Sequence, residues 1–62
     1  MKIKNCIQLN SSIVVAQVHK DDFSGEAVEV EKIAEEIGIY GRVLNYIIQD
    51  MGNMHNVTFY IK

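Results

Sequence analysis

The sequence predicts a small α+β domain of the order ββααβ, in which a helical pair covers one face of a three-stranded, mostly antiparallel sheet. Three observations favour this fold. Residues 1–9 and 57–62 alternate between apolar and polar side chains, as half-exposed strands do. Residues 13–18 carry apolar side chains on both faces of the predicted strand. Residues 24–51 contain two runs in which apolar side chains recur at helical spacing. At 62 residues the chain makes one domain.

The second predicted strand is apolar on both of its faces. Ile13 and Val15 point one way, and Val14, Ala16 and Val18 point the other. Strands of this kind are normally central and covered on both sides. Because two short helices cover only one face of so small a sheet, we expect a partner on the second face. We assign Val14, Ala16 and Val18 to that sheet interface.

Two amphipathic helices are predicted between the strands. The first carries apolar residues at steps of three and four, with Ser24 as its N-cap and Gly38 just past its end. The second is expected over 40–51, with Gly52 ending it. Its apolar residues come in adjacent pairs, which a half-exposed strand does not do. They are Tyr40, Val43, Leu44, Ile47, Ile48 and Met51.

The first predicted helix is strongly acidic. Seven acids and one lysine lie between residues 21 and 36, a net charge of −6 in a chain whose overall charge is only −2. Such a run ordinarily forms a solvated face. The alternative is that it docks on a basic partner surface and gains association rate from electrostatic steering. In that case Glu29, Glu35 and Glu36 are the partner-binding residues.

Between the two predicted helices lies Gly38-Ile39-Tyr40-Gly41, within the run IGIYGRVL. This stretch resembles the Gly-x-x-Gly loop of KH domains, and strand, helix, loop, helix, strand is the order of the minimal KH core. The resemblance implies a loop that clamps the backbone of single-stranded nucleic acid. Gly38, Gly41 and Arg42 would then hold the phosphates. The acidic helix before the loop repels phosphate, which makes nucleic acid the second hypothesis.

Several classes of function have no support in the sequence. One cysteine, Cys6, permits no internal disulfide, and Cys6, His19 and His55 lack zinc-ligand spacing. We expect no cofactor, no small-molecule substrate and no catalytic residue, since so small a domain has little room for a cleft. With no apolar run long enough for a membrane span and no signal-peptide core, we expect a cytoplasmic protein that does not bind membranes.

The remaining prediction is a non-enzymatic interaction or regulatory module. Small domains have thin cores and often gain stability from oligomerisation, so we expect a homodimer formed through the sheet, or a complex with another protein. In size and character the chain is similar to the small inhibitor and regulator proteins of phages and mobile elements, which implies a host protein as target. The alternative is a KH-like binder of single-stranded nucleic acid.

Overall fold

The computed structural model describes residues 3–62, which form a four-stranded antiparallel sheet with one α-helix packed on one face. The strand order across the sheet is β1-β2-β4-β3, so β2 and β4 are central and β1 and β3 are edges. Short 3-10 turns precede and follow the helix. The elements along the chain are β1 (Ile3–Asn10), β2 (Ile13–His19), α1 (Ala27–Glu36), β3 (Val43–Asp50) and β4 (Met54–Ile61).

The prediction of three strands and a helical pair is wrong. Residues 43–50, expected within a second helix, form β3, and the fourth strand begins at Met54. The adjacent apolar residues that favoured a helix have another cause: both faces of β3 are partly apolar. Ile48 packs against the core, whereas Ile47 is exposed on the opposite face. A register shift between Val43 and Asn45 further disturbs the alternation at the start of the strand.

The connection between β3 and β4 is a two-residue turn. Met51 N–H donates to the Met54 carbonyl at 2.7 Å, and Gly52 has φ +90°. Glycine in the first central position is typical of a type II′ hairpin turn. Gly52 therefore starts a hairpin instead of ending a helix, and Gly52-Asn53 between two β-prone runs is the sequence signal for it.

The turn is supported by the Asp50 carboxylate. It accepts hydrogen bonds from Gly52 N–H at 3.0 Å and from Lys20 Nζ at 3.1 Å. These two donors, the backbone N–H first, hold the pKa of Asp50 below its usual range. Because ionised Asp50 is favoured in the folded chain, its support for the turn is present at neutral pH and is lost as the pH falls through the lowered pKa.

The core lies between α1 and the two central strands. Alternate residues of β2 and β4 meet the buried face of the helix, and Phe23 and Ile39 close the two ends. The prediction that β2 is central is confirmed by the strand order. The buried residues are Val14, Ala16, Val18, Phe23, Val30, Ile33, Ala34, Ile39, Val57, Phe59 and Ile61.

The start of α1 differs from the prediction by two residues. Glu26, not Ser24, is the N-cap residue, and its side chain makes no capping bond. Ser24 instead donates its backbone N–H and its hydroxyl to the carboxylate of Glu29 in the first turn. This contact fixes the loop that brings buried Phe23 onto the sheet, where its ring meets His55 edge-on at 5.3 Å.

The end of α1 is as predicted at Gly38, whose φ is +81°. Gly38 N–H donates to the Glu35 carbonyl at 3.1 Å, and Ile39 N–H to the Ala34 carbonyl at 2.9 Å. This pair of bonds is a Schellman motif, which satisfies carbonyls at the helix end and needs a left-handed residue. Ile39 follows and is buried in the core.

Gly38→Ala is expected to destabilise the fold by about 1 kcal/mol, since an L-residue is strained in the left-handed region. The strain is conformational, because a Cβ built at Gly38 meets no atom within 4 Å. Gly41→Ala is the matched control: its Cβ also meets nothing within 4 Å, and its φ is not positive. Urea unfolding of both variants would contradict this account if they lost equal stability.

Candidate interaction surface

The face of the sheet opposite α1 has no covering element within residues 3–62. Register across the four strands aligns its side chains in three rows, which together we call the open face. The amide row consists of Asn5, Gln17, Asn56 and Gln49. The middle row consists of Ile7, Val15, Thr58 and Ile47. The outer row consists of Asn10, Ile13, Tyr60 and Asn45.

The middle row is the apolar centre of the open face. Ile7 on β1 is 48% exposed and Ile47 on β3 is 47% exposed, with Val15 and Thr58 partly buried between them. Ile13 and Tyr60 in the adjoining row are also partly buried. Isolated exposed apolar residues are ordinary, but a contiguous apolar patch with a polar border is typical of an interaction site.

The amide row forms one border of that patch. Asn5 Nδ2 donates to Gln17 Oε1 at 2.9 Å, which links β1 to β2. Next in the row, Asn56 Oδ1 is buried from solvent and has no hydrogen-bond partner. A buried acceptor without a donor is unfavourable by roughly 1–3 kcal/mol. The amide row thus combines one satisfied amide pair with one unsatisfied acceptor.

The open face is also electrically neutral. None of the twelve residues in its rows carries a formal charge at pH 7. The acidic residues of α1 lie on the other layer of the molecule. Depletion of charge with an aromatic and aliphatic centre is the composition of an interface core.

The residues predicted for the sheet interface occupy the opposite face. Val14, Ala16 and Val18 are 4%, 0% and 0% exposed and pack beneath α1. The side chains of β2 alternate between the two faces as expected. The helix, however, covers Val14, Ala16 and Val18, and Ile13 and Val15 lie on the uncovered face. Because the covered residues have almost no accessible surface, a partner could contact this sheet only on the other face.

The acidic residues predicted to bind a partner differ in their exposure and contacts. Glu29 is half-buried and its carboxylate holds Ser24, so it serves the fold. Glu35 and Glu36 are exposed in the last turn of α1. Of the three residues predicted to bind a partner, two therefore face solvent and one supports the loop before the helix.

The glycine loop does not lie between two helices. It connects α1 to β3, and Gly41 belongs to the 3-10 turn Tyr40–Arg42. Arg42 Nε donates to the Lys62 carbonyl at 3.1 Å, and Lys62 N–H returns a bond to the Arg42 carbonyl at 2.9 Å. The KH-like order of elements is thus overturned, and Arg42 fastens β3 to the end of β4.

The residues of the open face were missed by sequence reasoning because the helix was assigned to the wrong side of β2. Two signals could have found them. The Gly52-Asn53 hairpin pairs β3 with β4, and the alternation of β4 puts Val57, Phe59 and Ile61 on one side. In the antiparallel pair Phe59 lies opposite Val14 and Val57 opposite Ala16, and with Val18 and Ile61 these residues make the stronger apolar face.

Other kinds of site find no support in the described part of the chain. No cluster of three or more His, Cys, Asp or Glu residues there is arranged to hold a metal. Nor does that part contain a helix of the length and apolarity that crossing a bilayer requires. Comparison with models of known protein families, with curated proteins and with solved structures finds no match for this chain. Its function is therefore inferred from its surface.

Proposed function

We propose that this protein is a non-enzymatic, cytoplasmic module that acts by binding proteins. It pairs with a second copy of itself through the open face. The observation that supports this most is the middle row, in which Ile7, Val15 and Ile47 place apolar side chains on β1, β2 and β3, with Thr58 of β4 between the last two. The exposed thiol of Cys6 fits a reducing compartment.

A second copy is the occupant that the charge pattern favours. A two-fold interface brings the same patch onto itself, so any charge near the axis meets its own like charge. The neutral rows of the open face avoid that repulsion. Amide side chains carry both donors and acceptors, so that the amide row can hydrogen-bond to its own copy.

The acidic helices also permit this arrangement. Each α1 lies on the far side of its own sheet, so face-to-face pairing places two sheets between the two helices. With layers about 10 Å apart, the helices are separated by roughly 30 Å, which exceeds the Debye length of about 8 Å at physiological ionic strength. Their mutual repulsion is therefore screened.

The size of the open face sets the expected strength of the dimer. Four strands spaced by about 4.8 Å and six residues of about 3.3 Å rise give a patch of roughly 19 by 20 Å. Two such patches cover roughly 760 Å² in total, which is below the about 1,200–2,000 Å² that standard interfaces bury and in the size range of weak, transient contacts. We therefore expect a reversible dimer with a dissociation constant in the micromolar range.

Methyl NMR over a dilution series tests the proposal. We expect the methyl resonances of Ile7, Val15 and Ile47 to shift with protein concentration, because dilution exposes the open face. Ile33 in the core and Val28 on the outer side of α1 are matched reporters that should not move. Concentration-dependent shifts at Val28 with constant shifts at Ile47 would contradict the proposal.

A further inference from the structure

The free edge of β3 offers backbone groups that no strand within residues 3–62 uses. Met51 N–H bonds to the Met54 carbonyl, so alternation along the ladder turns Asn45, Ile47 and Gln49 toward β4. Tyr46, Ile48 and Asp50 then direct their N–H and carbonyl groups outward.

A side-chain contact agrees with this assignment. Tyr46 N–H is capped by the Asn45 side chain, whose Oδ1 accepts it at 2.9 Å. A ladder donor would not be available to such a cap. The register from Asn45 to Asp50 is also regular, whereas β1, the other edge strand, has two register shifts. The β3 edge is therefore the better template for an added strand.

A groove runs beside this edge, between β3 and α1. Its volume is about 400 Å³, within the range of about 300–1,000 Å³ that is usual for ligand pockets. Its floor and walls are largely apolar, and two of its residues are prominent at the surface: Tyr40 is 53% and Leu44 is 67% exposed. The lining residues that matter here are Val30, Glu31, Ala34, Tyr40, Leu44 and Tyr46.

We propose that the β3 edge and this groove together bind an extended peptide segment of another protein. The peptide adds a fifth strand to the sheet, and its alternate side chains on the helix side enter the groove. Main-chain hydrogen bonds to the outward-facing groups of Tyr46, Ile48 and Asp50 supply affinity, and the groove selects an apolar or aromatic side chain. This site and the open face use opposite faces of β3: Leu44 and Tyr46 line the groove, Ile47 belongs to the middle row, and Asn45 borders both.

The charge around the groove specifies the peptide further. Glu31 lines the groove and Glu35 follows one turn later on the same side of α1. Both are exposed, and neither is in a salt bridge with another residue of the described chain. A lysine or arginine on the groove side of the peptide, beside its apolar residue, would pair with them. The occupant is thus an extended segment with an apolar anchor and a basic neighbour.

A second copy is a poorer occupant of this edge. Antiparallel pairing of two β3 strands would place both α1 helices side by side on the same face of one continuous sheet. The segment that contains α1 has a net charge of −6, so that arrangement sets two like-charged surfaces against each other. A basic peptide brings the opposite charge to the same position.

Selection from a library of short random linear peptides against the immobilised unmodified protein tests the proposal. We expect the enriched peptides to share an apolar or aromatic residue and a lysine or arginine at alternate positions. Leu44→Asp should weaken their binding on the order of tenfold or more, and Glu31→Lys should weaken it for basic peptides. Ile47→Asp is the matched control on the opposite face of β3 and should leave peptide affinity within about twofold.

Methylated peptide backbones then separate strand addition from simple groove binding. N-methylation of the residues whose N–H faces β3 should weaken binding at least about tenfold, and methylation of the alternate residues should not. Failure to enrich any peptide, equal binding to the Leu44→Asp variant, or equal effects of both methylation series would overturn the proposal. So would dissociation of a dimer of the protein by Leu44→Asp, which would make this edge a self-interface. The three peptide outcomes do not bear on the open face, which Ile47 reports separately, whereas dissociation of a dimer by Leu44→Asp would also contradict pairing through the open face.

Discussion

Replacing Val18 by lysine is expected to unfold the chain. Val18 is 0% exposed beneath α1, so the substitution removes a buried apolar side chain and places an ammonium group in the core. Loss of the valine alone costs about 1.5–3 kcal/mol, and a buried unpaired charge costs several more. A core of this size rarely supplies more than roughly 3–5 kcal/mol in total. Far-UV circular dichroism at neutral pH would report the loss of structure.

Gln17→Lys is the matched control for that experiment. Gln17 is the preceding residue of β2 and belongs to the amide row on the open face, where a lysine can reach water. We expect this variant to keep its sheet. If Val18→Lys stayed folded while Gln17→Lys unfolded, the helix would lie on the other face of the sheet.

Ile47→Lys is expected to dissociate the dimer and leave each protomer folded. The side chain is 47% exposed in the single chain, so the fold tolerates the substitution. A two-fold interface contains each residue twice. Loss of about 1.5 kcal/mol of apolar burial at each copy, with like charges brought together, weakens dimerisation on the order of 100-fold or more.

The control for Ile47→Lys is Val28→Lys, which makes the same change of charge at an exposed apolar residue of α1. We expect its dimerisation to match that of the unmodified chain. Equal masses of all three proteins at every concentration in sedimentation equilibrium would rule out the open face as the interface.

Local chemistry was sufficient to predict part of this fold. The period of the apolar residues predicts the first two strands, the last strand and α1. The end of α1 at Gly38 is predicted because a helix commonly ends with a residue in the left-handed conformation. Each of these features is decided within a few residues. Their agreement with the structure therefore needs no knowledge of the rest of the chain.

The other features depend on contacts between distant residues. β3 is apolar on both faces, and periodicity over eight residues does not separate such a strand from a helix when it includes a register shift. The predicted second helix placed the glycine loop in a KH-like order of elements, so the error in secondary structure was the basis of the nucleic-acid hypothesis. The faces of β2 could be told apart only once β4 was paired with it.

The amide row illustrates the same limit for the site. Asn5, Gln17, Asn56 and Gln49 are polar residues of four different strands, and nothing in their local sequence relates them. The strand register aligns them beside the apolar middle row. The neutral surface that they form with that row is therefore visible only once the strand pairing is known. A candidate interface of this kind can be recognised from the strand register but not from a sequence motif.

Sedimentation equilibrium of the unmodified chain, from concentrations well below to well above the micromolar range, tests the open-face dimer most directly. The protomer mass is 7.1 kDa. We expect the weight-average mass to rise from that value toward twice that value as concentration increases. A mass that stays at the protomer value up to millimolar concentrations would contradict pairing through the open face.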